Sequence, residues 1–159
     1  MNVQIICVGK MKERFYMDAA AEYLKRLTPF CRLEIVELPE EKLPADPSPA
    51  LIEAALKKEA GAIRSKLAQG AKTVAMCIEG QMLSSTELAA KVQNWELESV
   101  KSLAFLIGGS FGLDEELKGE AHLRLSMSPM TFPHHLARVM LLEQLYRAFQ
   151  INKGSPYHK

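Results

Sequence analysis

The sequence predicts an α/β protein: a parallel sheet with helices packed on both of its faces. Short apolar runs alternate with helical stripes from one end of the chain to the other, the pattern of repeated β-α-β units. The run Leu103–Ile107 is apolar at every position, as a central parallel strand buried on both sides must be. Turn and cap signals separate nearly every strand from the helix that follows it, and no repeat or second domain interrupts the series.

The elements follow in order. Val3–Val8 reads as the first strand, and Phe15–Leu27 as a helix with Tyr16, Ala20, Tyr23, Leu24 and Leu27 along one stripe. Leu33–Leu38 returns to strand, with adjacent Ile35 and Val36 indicating burial on both faces. A loop with Pro39, Pro44 and Pro47 leads to Ser48 as N-cap and Pro49 in the first helical position. That helix runs to about Leu67, with Gly70 just past its end, and Thr73–Ile78 is the third strand. Ser84 and Glu87 form a capping box that opens a helix to roughly Leu97. Leu103–Ile107 is the fourth strand, Gly108–Gly112 a glycine-rich turn, and a short helix begins near Asp114. Leu123–Ser126 is a short fifth strand, Met127–Phe132 a loop, and Pro133 opens a long helix to about Ile151.

The bulk numbers exclude several classes. With 159 residues, 48% of them apolar and 25% charged, the chain suits one soluble domain with a single core. Its apolar runs are too short to cross a bilayer, and the opening strand is followed at once by charge, unlike a secretory leader. Cys7, Cys31 and Cys77 are odd in number and widely spaced, which reads as reduced thiols in a cytoplasmic protein. A net charge of +1 means that composition alone does not announce a nucleic-acid partner.

In open parallel sheets ligands bind beyond the carboxyl ends of the strands. Here that edge carries the loops after Ile78, Ile107 and Ser126. Ile107–Gly112 suits either a tight turn or a close backbone approach to a ligand, and Glu79–Ser85 supplies a second wall of the same kind. Ser126–Arg138 is more specific: a polar-apolar loop, then a proline and a helix whose first turn holds His134 and His135. A neutral imidazole there can accept a proton; a pair exposed to solvent is the plainer alternative. No metal site is expected, because neither histidine has ligand-spaced partners. The final helix carries Val139, Met140, Leu142, Leu145, Tyr146 and Phe149, a stripe suited to core packing and to a subunit interface. The tail Asn152–Lys159 ends in an aromatic and basic group that suits either a frayed end or contact with a nucleobase.

The turn Ile107–Gly112, the loop Ser126–His134, the helix segment Leu141–Ala148 and the terminal Tyr157-His158-Lys159 together resemble the RlmH family of the SPOUT class. Val8-Gly9-Lys10 and Ala21-Glu22-Tyr23 extend the resemblance over the whole chain. It implies a SPOUT fold with a carboxyl-terminal trefoil knot, a feature that periodicity never reveals. It implies a homodimer that uses S-adenosyl-L-methionine (SAM) to methylate N3 of a pseudouridine in 23S rRNA of the assembled ribosome. Carried over by position, the SAM contacts are Met76, Gly108 and the loop Met127, Ser128, Pro129, Met130, Thr131 and Phe132. Leucine is the commoner residue at position 76, and methionine conserves its volume and polarity. His134 is the candidate for taking or orienting the imide proton, and Arg138 for the carbonyl oxygen that gains charge. Tyr157 and His158, in cis or from a partner subunit, are the candidate base-holding groups. Lys10, Lys12, Arg14, Lys153 and Lys159 offer a local basic patch. The competing expectations are a non-catalytic ribosome-associated RNA-binding factor and a flavodoxin-like nucleotide-binding protein.

Overall fold

The computed structural model describes all residues from Met1 to Lys159. Five strands, β1 (Asn2–Val8), β2 (Arg32–Leu38), β3 (Lys72–Met82), β4 (Ser102–Ile107) and β5 (Leu123–Ser126), form one sheet in the order β2-β1-β4-β3-β5. Every pairing is parallel. The connections are α1 (Arg14–Leu27), α2 (Pro49–Lys66), α3 (Ser85–Leu97) and α4 (Glu115–Glu120), and α5 (His134–Asn152) closes the chain. None of these helices is long and apolar enough to cross a membrane.

Period-two alternation along the strands assigns each residue to one of two cores. Val3, Ile5 and Cys7 of β1 and Leu103, Phe105 and Ile107 of β4 face one side, where α1, α3 and α5 cover them. Ile6, Val8, Ala104 and Leu106 face the other side, against Ala60 and Ile63 of α2 and the Leu113–Leu117 segment that opens α4. The central place in the sheet falls to β4, and its continuous apolar run is buried from Leu103 to Ile107. This is the arrangement the sequence pattern predicts.

Local signals act where expected. Ser48 accepts from the amide of Leu51, and Ser84 and Glu87 complete the reciprocal capping box. Asp114 accepts from Leu117 to start α4. The long helix α5 has Pro133 at its N-cap and no side-chain cap. On its apolar stripe Leu142, Leu145 and Phe149 are buried in the core together with Leu141 and Ala148, while Val139, Met140 and Tyr146 are only half-buried. Each fully buried leucine there contributes about 2 kcal/mol of transfer free energy, so α5 is a core element in its own right.

The third strand departs from its expected bounds. It reaches Met82 rather than Ile78, because β3 meets β5 twice. Val74–Met76 pair with Leu123–Leu125, and then Gln81 and Met82 pair with Leu125 and Ser126. The intervening Cys77–Gly80 leaves the ladder. A Cβ on Gly80 would lie 2.8 Å from the backbone of Arg124 and Leu125, so only glycine lets the two strands run this close together.

Candidate active site at the carboxyl edge of the sheet

The departures of β3, β4 and β5 converge on one open cleft of about 770 Å³, the size range of small-molecule sites. Met76, Gly108, Met127, Ser128, Met130, Thr131 and Phe132 all line it, as does His134 at the start of α5. Pro129 belongs to the same loop, but it is exposed and lies outside the lining. Arg138, Tyr157 and His158 do not reach the cleft within this chain.

Each wall has a local cause. The loop after β5 braces itself: the Ser126 hydroxyl donates to the Ser128 carbonyl at 3.1 Å, and Ser128 Oγ accepts from the Met130 amide at 3.0 Å. The glycine loop folds back on itself, with the Gly112 amide donating to the Gly109 carbonyl at 3.1 Å. A Cβ on Gly108 would meet the Gly112 carbonyl oxygen at 2.2 Å, so that glycine is required by the closure of the loop. Gly112 itself has φ +79°, a left-handed conformation that favours glycine.

Charges stand at defined places around an otherwise apolar cleft. The Lys118 ammonium, with a side chain only 9% exposed, donates to both Glu79 and Glu115. Burial alone would lower the Lys118 pKa, but the two carboxylates outweigh it and raise it. Glu79 is held below the usual carboxylate range, chiefly by that lysine. The pKa of His134 is below the ordinary imidazole value, first through burial and then through the neighbouring His135. His135 turns the other way and meets Glu13 at 2.7 Å. The half-buried Cys77 also lines the cleft, and burial raises its thiol pKa.

The remaining candidates lie elsewhere. Arg138 is 2% exposed, and its guanidinium donates to Glu37 at 2.7 Å and to the Gly9 carbonyl at 3.1 Å. It braces the turn after β1 against α5. The Tyr157 hydroxyl donates to Glu143 at 3.1 Å, and its ring packs 4.9 Å from that of Tyr146 beneath Arg147. His158 lies beside Arg147 as well. Glu143 and Arg147 lie nine and thirteen residues along α5 from His134, about 14 and about 20 Å at 1.5 Å per residue, so the tail packs on the middle of α5, away from the cleft. No group of three histidine, cysteine or acidic side chains converges as metal ligands. Sequence reasoning missed Glu37 and Lys118, and it read Glu79 only as part of a loop wall, because the Glu37–Arg138 and Glu79–Lys118 pairs join residues far apart in the chain and no spacing signals them.

Backbone-rich walls, an apolar floor and a neutral imidazole at the rim make a cleft that can hold a flat, partly polar ligand and receive a proton beside it. Fold and cleft thus define a class, the parallel α/β proteins that bind a ligand across their carboxyl-edge loops. The family described as "Predicted SPOUT methyltransferase" matches residues 1–158. The chain is 49% identical over its full length, and the full length of the relative, to a ribosomal RNA large subunit methyltransferase H from Bifidobacterium animalis subsp. lactis. It is 45% identical, again end to end, to the protein of that name from Clostridioides difficile. The chain belongs to the SPOUT methyltransferase family, which implies a methyl donor. Among solved structures, a probable methyltransferase from Bordetella pertussis superposes with a TM-score of 0.56 at 18% identity, covering 92% of this chain and 95% of that one. A putative methylase family protein from Neisseria gonorrhoeae gives 0.55 at 14% identity, over 99% and 85% respectively. At these identities the two structures speak for the fold alone.

Proposed function

We propose that the protein methylates N3 of a pseudouridine in 23S rRNA, using SAM and acting as a homodimer on the assembled ribosome in the cytoplasm. The observation that carries this reading is the convergence of the loops after β4 and β5 and the Met76–Glu79 stretch of β3 on one cleft with His134 at its rim. The fit to SAM rests on the donor set. Main-chain groups of the Gly108 and Met127–Phe132 loops suit an adenosine, and the Glu79–Lys118–Glu115 cluster, with two carboxylates to one ammonium, leaves net negative charge that suits a ligand carrying positive charge.

When bound, SAM supplies an electrophilic methyl group on a sulfonium. The work of this chain is to orient it and to manage one proton. The reaction forms an N3–CH3 bond, breaks the S–CH3 bond and releases the imide proton. Neutral His134 takes or orients that proton, and holding the reacting atoms in line accounts for much of the rate. Arg138 contributes by position, fixing the helix turn that carries His134 against Gly9. Tyr157 and His158 act on the partner's cleft, since each tail lies far from its own. Lys10 and Lys12 stand on the turn that borders His134, Arg14 opens α1 just beyond it, and the three give the rRNA a basic approach.

The carboxyl-terminal trefoil knot belongs to the same reading. Support for it comes from membership of the SPOUT family.

The deciding experiment is methyl transfer from labelled SAM to ribosomes that contain or lack the pseudouridine. Label in the large-subunit rRNA of the first sample only is the expected result. Equal label in both, or none in either, overturns the assignment. Calorimetry with SAM, FMN and NAD tests the nucleotide-binding alternative, and only SAM is expected to bind.

A further inference from the structure

The loop that leaves β2 reaches the glycine loop of the cleft, and its Glu40 lies against that loop and near Gly9 beside His134. One carboxylate oxygen, Oε1, accepts a 2.8 Å hydrogen bond from the Ser110 amide in the glycine loop. The same carboxylate lies against Gly109, where a Cβ would stand 2.6 Å from Oε1. The other oxygen faces Gly9, whose Cβ position is 3.9 Å from Glu40 Oε2 and 3.4 Å from His134 Nε2. No hydrogen bond joins Glu40 to His134, so the two interact through space.

A loop with three glycines in five residues loses much chain entropy on being fixed and gains from an external tether. A carboxylate that accepts from a backbone amide is a strong tether, because its hydrogen bond is charge-assisted. We propose that Glu40 is a positioning residue of the methyl-transfer site, fixing the glycine loop through Ser110 N–H and setting a negative charge beside His134. The inference deepens the function proposed above and rests on it for the chemistry. The tether and the charge are separate physical facts.

Several charged or titratable groups face His134 from the elements around it. They are Glu40 from the loop after β2, Glu13 from the turn before α1, and His135 and Arg138 from α5. The carboxylates favour the imidazolium form, whereas burial, His135 and Arg138 oppose it. Glu40 stays ionised for this purpose: burial pushes its pKa up, but the Ser110 hydrogen bonds and the two histidines outweigh that and leave it below the usual range.

Two variants separate the roles in the full-length protein. Glu40→Gln keeps an oxygen that accepts from Ser110 and removes the charge, whereas Glu40→Ala removes both. In Glu40→Ala the Ser110 amide should exchange with solvent at least tenfold faster, and SAM affinity should fall by about tenfold, since one charge-assisted bond is lost. In Glu40→Gln SAM affinity should stay within about threefold. The NMR titration midpoint of the His134 ring should then fall by on the order of half a pH unit, and the acid limb of methylation should move down with it. Unchanged exchange in Glu40→Ala overturns the tether, and an unmoved His134 midpoint in Glu40→Gln overturns the charge. Exchange and titration are read without turnover. A protein that shows both effects yet transfers no methyl group therefore refutes the proposed function and leaves the positioning role standing.

Discussion

Replacing Arg138 by methionine tests whether this residue acts as a structural clamp or on the substrate. Methionine keeps most of the volume and removes the charge. Three consequences follow from the contacts. The Gly9 carbonyl loses its 3.1 Å donor, at a cost of about 1–2 kcal/mol for a buried acceptor left unpaired. Glu37 loses the guanidinium at 2.7 Å, yet its side chain is 34% exposed, so solvent screening holds that cost to about 1–2 kcal/mol. Against these, the buried Nε of Arg138 has no hydrogen-bond partner, and deleting it returns about 1 kcal/mol. The net expectation is a loss of about 2 kcal/mol, equivalent to about 4–8 °C in Tm for a chain of this size. Urea denaturation at pH 7 and fixed protein concentration measures it.

The pH dependence carries its own sign. Burial raises the Glu37 pKa, but the Met11 amide and Arg138 outweigh it and leave the folded value below the ordinary one. The stability Glu37 contributes is therefore present above the unfolded value of about 4.3 and is lost as pH falls through the lower folded value. The gap between wild type and Arg138→Met should narrow along the same path. A stability loss under 0.5 kcal/mol, accompanied by a large fall in kcat, would refute the clamp and return Arg138 to the substrate.

Three further outcomes are expected. Gly108→Ala drives its Cβ toward the Gly112 carbonyl at 2.2 Å, so the loop must shift; SAM affinity by calorimetry should fall at least tenfold, and wild-type binding would show that the loop adapts freely. Deleting Tyr157–Lys159 should abolish ribosome methylation while leaving SAM binding within about threefold, because the tail lies far from its own cleft; undiminished methylation sinks its role. Burial, followed by His135, lowers the His134 pKa, so the ring should titrate below 6.5 by NMR. It should remain the neutral proton acceptor at pH 7, and acidification should cost stability from about pH 6.5 down through the lower folded value, levelling off only below it, where the ring is protonated in both states. A midpoint above 7 contradicts the burial argument.

Much of the architecture was legible in local chemistry. The wholly apolar Leu103–Ile107 could only be a strand covered on both faces, and it is the centre of the sheet. Ser48-Pro49 and Ser84…Glu87 mark helix starts because their side chains satisfy backbone donors within three residues. The loops after β4 and β5 were readable as cleft walls for the same reason: glycine and proline punctuate the chain where it leaves a parallel strand. Of the Glu79–Ser85 segment only Glu79 lines the cleft, because β3 continues to Met82.

Tertiary structure decided the rest. Cys77–Gly80 leaves its ladder because β5 meets β3 twice, an event between residues more than forty positions apart that no periodicity encodes. Arg138 lies at the start of α5, one turn beyond His134, and looked equally suited to chemistry; only the fold shows it buried against Glu37 and Gly9. Nothing in the sequence singled out Glu40 or Lys118, and Glu79 stood out only as the start of a loop wall. The order β2-β1-β4-β3-β5 brings the loop after β2, the distal part of β3 and α4 to one edge, where Lys118 meets Glu79 and Glu40 meets Ser110. Sequence fixes what each segment can form on its own, through propensity, caps and alternation. Which segments then share an edge depends on long-range pairing, and that pairing selects the charges that border the cleft.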